Sequence, residues 1–192
     1  MGIPNLIFVV VFLAACILFW RNASKISRNI KLGMPLDRSD RKGERWRLMT
    51  LVAFGQKKMF SRPWPALLHF FVYAGFVIIN IEVAEIVIDG IFGTHRVLSV
   101  AGGLYPLMLA SFEVLAFLVT AGCVIFLIRR NITKVKRLVM KELDGWPKTD
   151  ANLILIMEIS LMTAFFFMNA ADRSLFISGH PHYNVDIGFM PV

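Results

Sequence analysis

Apolar residues gather in four long runs along the chain, separated by polar and strongly basic stretches. The runs extend from Pro4 to Trp20, Ala66 to Ile88, Leu104 to Ile128 and Asn152 to Ala171. Each approaches the roughly 20 residues that an α-helix needs to cross a hydrocarbon core about 30 Å thick. The pattern predicts an all-α integral membrane protein, a four-transmembrane-helix bundle in one membrane domain covering residues 1–192. The first run has no basic residue before it and no convincing small-x-small cleavage site after it, so it reads as a retained helix rather than a signal peptide. Between the first two runs, "GERWRLMTLVAFGQKKMF" sets Trp46, Met49, Val52 and Ala53 among basic residues. That spacing predicts an interfacial amphipathic helix in the first cytoplasmic loop.

Charge then orients the pattern. The chain is 57% hydrophobic yet carries a net charge of +8. Of its 21 Lys and Arg residues, twelve lie in residues 21–65 and seven in residues 129–151, leaving only Arg96 and Arg173 for the opposite side. The positive-inside rule therefore places both long loops in the cytoplasm and both termini outside. Trp20, Trp64 and Trp146 fall at or near the cytoplasmic ends of the runs, where an amphipathic ring prefers the headgroup layer. The basic residues are assigned to membrane lipid, with docking of a partner as the lesser reading, and no nucleic-acid partner is expected. Two cysteines, Cys16 and Cys123, stand alone in apolar runs. With no Cys-x-x-Cys, the chain offers no iron–sulfur cluster, zinc ribbon or disulfide framework of its own.

Five ionisable side chains interrupt the apolar runs: His69, Glu82, Glu85, Glu113 and Glu158. Each costs about 2.5 to 3.5 kcal/mol near a bilayer centre on insertion scales, so each should face protein, water or a ligand. At 100° per residue, His69, Tyr73, Phe76 and Asn80 share one stripe of the second helix, whereas Glu82 and Glu85 point to the far side. The two glutamates are expected to reach the headgroups or to pair with Arg96. Glu113 is expected to hydrogen-bond another helix as a protonated acid, because desolvation disfavours the carboxylate, and Glu158 to pair with a loop arginine near the cytoplasmic surface. Scattered over different depths, the carboxylates give little support to a path for ions or protons. His180 and His182, in "SGHPHYNV", read as solvated tail residues. No residue is assigned a catalytic role.

His69 has two readings. A lone histidine in a transmembrane helix is usually an interhelical hydrogen-bond partner. The sharper reading makes it an axial ligand of haem iron, with Gly75 and the aromatic residues Phe70, Phe71, Tyr73 and Phe76 shaping a slot for a flat porphyrin. No other run holds a histidine to complete a six-coordinate iron.

The stretch "GQKKMFSRPWPALLHFFVYAGFVIINIEVAEIVIDGIFGTHR", Gly55 to Arg96, resembles the membrane part of bacterial iron–sulfur oxidoreductases related to heterodisulfide reductase. The amino-terminal domain of that family is similar to the cytochrome b (gamma) subunit of respiratory nitrate reductase. The likeness extends through "NLILIMEISLMTAFFFMNAAD", Asn152 to Asp172, and fades beyond it toward "DIGFMPV". It implies a multi-pass protein of the bacterial inner membrane that belongs to a respiratory oxidoreductase. Electrons would pass between the quinone pool and a cytoplasmic iron–sulfur or flavin partner through haem b, with His69 matching the ligand position in the second span. The family continues with a fifth span bearing further histidine and a soluble cysteine-rich domain, so iron–sulfur clusters are expected only in a partner chain or in sequence beyond these residues. The alternative expectation is a non-catalytic membrane anchor or assembly subunit without cofactor.

Overall fold

The computed structural model describes residues 2–34, 37, 39–138, 140–183 and 185. The closing stretch of residues 186–192, where the resemblance fades, lies outside the described residues. Five α-helices account for most of the chain: α1 (Ile3–Lys31), α2 (Lys42–Met49), α3 (Pro63–Phe92), α4 (Leu104–Asn131) and α5 (Trp146–Ile177). Short 3-10 turns lie between α2 and α3, α3 and α4, and α4 and α5, and no strand occurs among the described residues. Four helices, α1, α3, α4 and α5, are long and apolar enough to cross a membrane. They exceed the apolar runs read from the sequence because helix propagates into the flanking basic residues, where backbone hydrogen bonding continues after hydropathy has ended.

Local sequence sets the ends of these helices. Pro63 opens α3, where its missing N–H costs nothing and its fixed φ suits a first turn. The preceding Arg62 is extended, as a residue before proline prefers. At the other end Gly93 adopts φ 72° and its N–H bonds to the Asp89 carbonyl at 2.8 Å. That left-handed cap suits a residue without a Cβ. The helix α2 runs on into a π-helical turn, Thr50–Phe54, in which the Thr50 hydroxyl donates to the Trp46 carbonyl at 2.9 Å. A helical segment thus forms where the loop pattern predicts one.

The chain divides into two compact units, Met1–Pro63 with Val87–Thr94, and Trp64–Ile86 with His95–Val192. In the first, α1 has no buried residue, and it meets the last turns of α3 through Asn5 and Phe8. The Asn5 amide donates to the Gly90 carbonyl at 3.1 Å, and a Cβ on Gly90 would run into the Phe8 ring. The second unit holds the core. There α4 is central, burying Leu109, Phe112, Ala116, Val119 and Cys123 against Ile79 of α3 and Met162 and Phe165 of α5.

Small residues allow that packing. A Cβ on Gly75 of α3 would collide with Val119 of α4. Reciprocally, a Cβ on Gly122 of α4 would stand 3.2 Å from Val72 of α3. Each helix thus gives a glycine to the other's valine, and the two backbones approach as small residues permit. At the opposite face of α4, the Asn131 and Asn152 amides exchange two hydrogen bonds, at 3.0 and 3.3 Å, and tie α4 to α5.

Candidate functional site: a buried ionic cluster around Arg96

Polar residues of the second unit collect at the end of α3 that carries Glu82 and Glu85. Arg96 is the hub. It lies in the turn between α3 and α4 with φ 57°, and only 4% of its surface is exposed. Its Nη1 pairs with Glu82 Oε1, its Nε donates to Asp172 Oδ2 at 2.8 Å, and its Nη2 donates to Asn169 Oδ1 at 2.8 Å. A guanidinium reaches three side chains on two helices, α3 and α5, in this way because its donors fan out in one rigid plane.

The surrounding groups close most of the network. Glu85 accepts the Leu98 N–H at 2.7 Å on Oε1 and the Tyr105 hydroxyl at 2.9 Å on Oε2. The Asn169 amide donates to Glu113 Oε1 at 3.2 Å. At the rim, His95 Nε2 lies 3.1 Å from Asp172 Oδ1. The His95 side chain is 15% exposed and sits against Tyr183, with ring centroids 4.7 Å apart, and against His182. Burial by itself disfavours the charge on Arg96, but the carboxylates of Glu82 and Asp172 outweigh it and hold its pKa above the ordinary arginine value. A lone buried guanidinium would cost several kcal/mol, at least roughly, and the ring of acceptors makes its burial tolerable.

The expected pairing of Glu82 and Glu85 with Arg96 is therefore present, and the headgroup alternative is not, since Glu82 is 0% and Glu85 1% exposed. Glu113 does bond another helix, through Asn169 of α5. Glu158 is half-buried and, among the described residues, has no ion pair with a loop arginine. The tail histidines are exposed, yet His182 is folded back on His95 rather than left wholly to solvent. Sequence reasoning missed Tyr105, Asn169 and Asp172. A signal for the last two was available: they stand three apart on one helix face, as Glu82 and Glu85 do, and that spacing brings matched pairs to one level.

His69 belongs to a different place. It lies thirteen residues before Glu82 on α3, about 20 Å along the helix at 1.5 Å per residue. The buried face of α3 runs through Ala66, Gly75, Ile79, Glu82 and Glu85. His69, Phe76 and Asn80 are exposed on the neighbouring stripe, with Tyr73 half-buried. The helical-wheel separation of the histidine from the two glutamates thus appears as a separation between an uncovered face and the core.

The residues present allow a haem only in part. His69 is the one histidine in the four long helices, and among the described residues no three His, Cys, Asp or Glu side chains are grouped to hold a metal ion. His69, one imidazole on an exposed face, is the residue that could hold a haem iron. Comparisons with protein-family models, with curated proteins and with solved structures found no match for this chain.

Proposed function

We propose that the chain is the membrane module of a quinone-linked iron–sulfur oxidoreductase of the bacterial inner membrane, and that its α3 stripe forms half of a haem b site. The observation that carries this reading is the exposed His69 on a face of α3 that neither α4 nor α5 of the second unit covers. An imidazole facing hydrocarbon is costly, so that face is read as one to be covered by a protein segment bearing a second ligand. Phe70 and Phe76, both well exposed, flank the histidine with flat apolar surface of the kind a porphyrin packs against. The haem would supply one-electron relay between quinol and a cytoplasmic iron–sulfur or flavin partner. His69 would hold it and set its position along α3.

Membrane insertion belongs to the same reading. Exposed large apolar residues run the whole length of α1 and along α3, α4 and α5, an extent that water does not tolerate. The two long loops, with their nineteen basic residues, are read as cytoplasmic and both termini as outside, as the positive-inside rule favours. With Trp46, Leu48, Leu51 and Phe54 exposed beside Arg45 and Arg47, α2 and its π-helical extension are read as lying on the inner headgroup layer.

The test is optical. Protein expressed with its genomic neighbours and purified as a complex should show the Soret and alpha bands of a b-type haem, and His69→Ala should remove the bands of one haem. A complex without extractable haem sinks the proposal.

A second reading, a non-catalytic anchor or assembly subunit, is favoured by one observation: the buried polar groups of the chain are spent largely on one another around Arg96, as a structural lock would be. On this reading His69→Gln leaves the spectrum and activity of the complex unchanged and alters only its yield.

A further inference from the structure

Among the described residues, the cluster around Arg96 holds four carboxyl groups, and their hydrogen bonds divide them. Asp172 is answered by Arg96 and His95, Glu85 accepts from Leu98 and Tyr105, and Glu82, whose Oε2 has no partner among the described residues, pairs through Oε1 directly with the Arg96 cation. Glu113 receives one neutral amide, from Asn169, while its Oε2 has no partner among the described residues and the residue is only 5% exposed. An ionised carboxylate in that position would have a weaker answer to its charge than any of the other three.

The count of charges agrees. Among the described residues, the charged and titratable groups of the cluster beside Glu113 are Glu82 and Glu85 from α3, His95 and Arg96 from the turn, Tyr105 on its own helix, and Asp172 and Arg173 from α5. Even with His95 protonated and Arg173 counted in full, three cations face four carboxyl groups. A buried charge left over in this way costs far more than a neutral hydroxyl without a partner.

We propose that Glu113 is a proton-binding site, the carboxylic acid that keeps the cluster neutral, with Asn169 coupling it to Arg96. The ligand is a proton, and Glu113 stands on α4 rather than on the α3 stripe that carries His69, so the site stands whether or not haem binds. Oε1 accepts from the Asn169 amide, and Oε2 carries the proton. Loss of that proton would leave an unbalanced negative charge beside Glu82 and Asp172, which the Arg96 guanidinium already serves.

Infrared spectroscopy of the purified full chain at neutral pH tests this. A carboxylic-acid C=O band that shifts in D2O is expected, and Glu113→Gln should remove one component of it while the protein keeps its helical circular dichroism. Glu158→Gln, which alters a half-buried acid remote from the cluster, should leave that component in place. Asn169→Leu should move the component without abolishing it, because the acid loses one amide donor. Wild-type protein labelled with 13C-glutamate reads the same acid without any substitution. Labelled protein showing only ionised glutamates overturns the proposal, as does a band untouched by Glu113→Gln. A band that vanishes when sodium replaces potassium overturns it as well, since the occupant is then a metal cation.

Discussion

At Arg96, one guanidinium serves Glu82, Asp172 and Asn169 from three directions, so its removal is not the loss of a single contact. Arg96→Met leaves the carboxylates of Glu82 and Asp172 buried without a cation. Breaking a buried pair from one side typically costs about 3 to 5 kcal/mol, and a thermal melt in detergent should show a loss of that order. Glu82→Gln in the Arg96→Met background removes one of the stranded charges and should restore part of the stability. Equal melting of Arg96→Met and the natural chain would mean that the cluster carries no net electrostatic weight. His69 is the contrasting case, since its side chain touches none of this network. His69→Ala should leave the melt of the isolated chain within about 0.5 kcal/mol, as exposed substitutions usually do, while removing haem absorption from the complex.

Among the elements, α3 and α4 owe their close approach to glycine. Gly75→Ala drives a Cβ into Val119, and overpacking of this kind costs about 1 to 3 kcal/mol. Val119→Ala should relieve the strain, so the double variant is expected to melt above Gly75→Ala alone. Additive losses instead would show that the valine is not what the added methyl group meets. Much of this was legible beforehand. The four long helices followed from uninterrupted hydropathy, because a 3.6-residue ladder satisfies its own backbone wherever the side chains permit. The helical wheel also separated His69 from Glu82 and Glu85. What the pattern of one helix does not contain is the partner of each face, and so Gly75 read as part of a haem slot whereas it packs against Val119.

For the whole molecule, the distribution of basic residues is the strongest statement in the sequence and leads to a topology experiment. In a background with Cys16 and Cys123 replaced by alanine, Ser39→Cys is expected to react with an impermeant thiol reagent only after the membrane is opened to its cytoplasmic side. His180→Cys, in the exposed tail segment, is expected to react from outside. The opposite pattern would reverse the orientation and place the Arg96 cluster at the cytoplasmic end. Either way the cluster and His69 lie at separate levels of the second unit.

Length, hydropathy and charge by themselves determined four long apolar helices, the basic loops and the small set of ionisable residues needing an explanation. These are properties of single segments, where local hydrogen bonding and side-chain composition act alone. Only the tertiary structure decided that Arg96 draws Glu82, Asp172 and Asn169 together, that Tyr105 and Leu98 answer Glu85, and that Glu113 keeps one oxygen without a partner among the described residues. Such pairings join residues up to 76 positions apart. They depend on how α3, α4 and α5 pack, and the burial that makes an unanswered charge costly exists only once those helices have met.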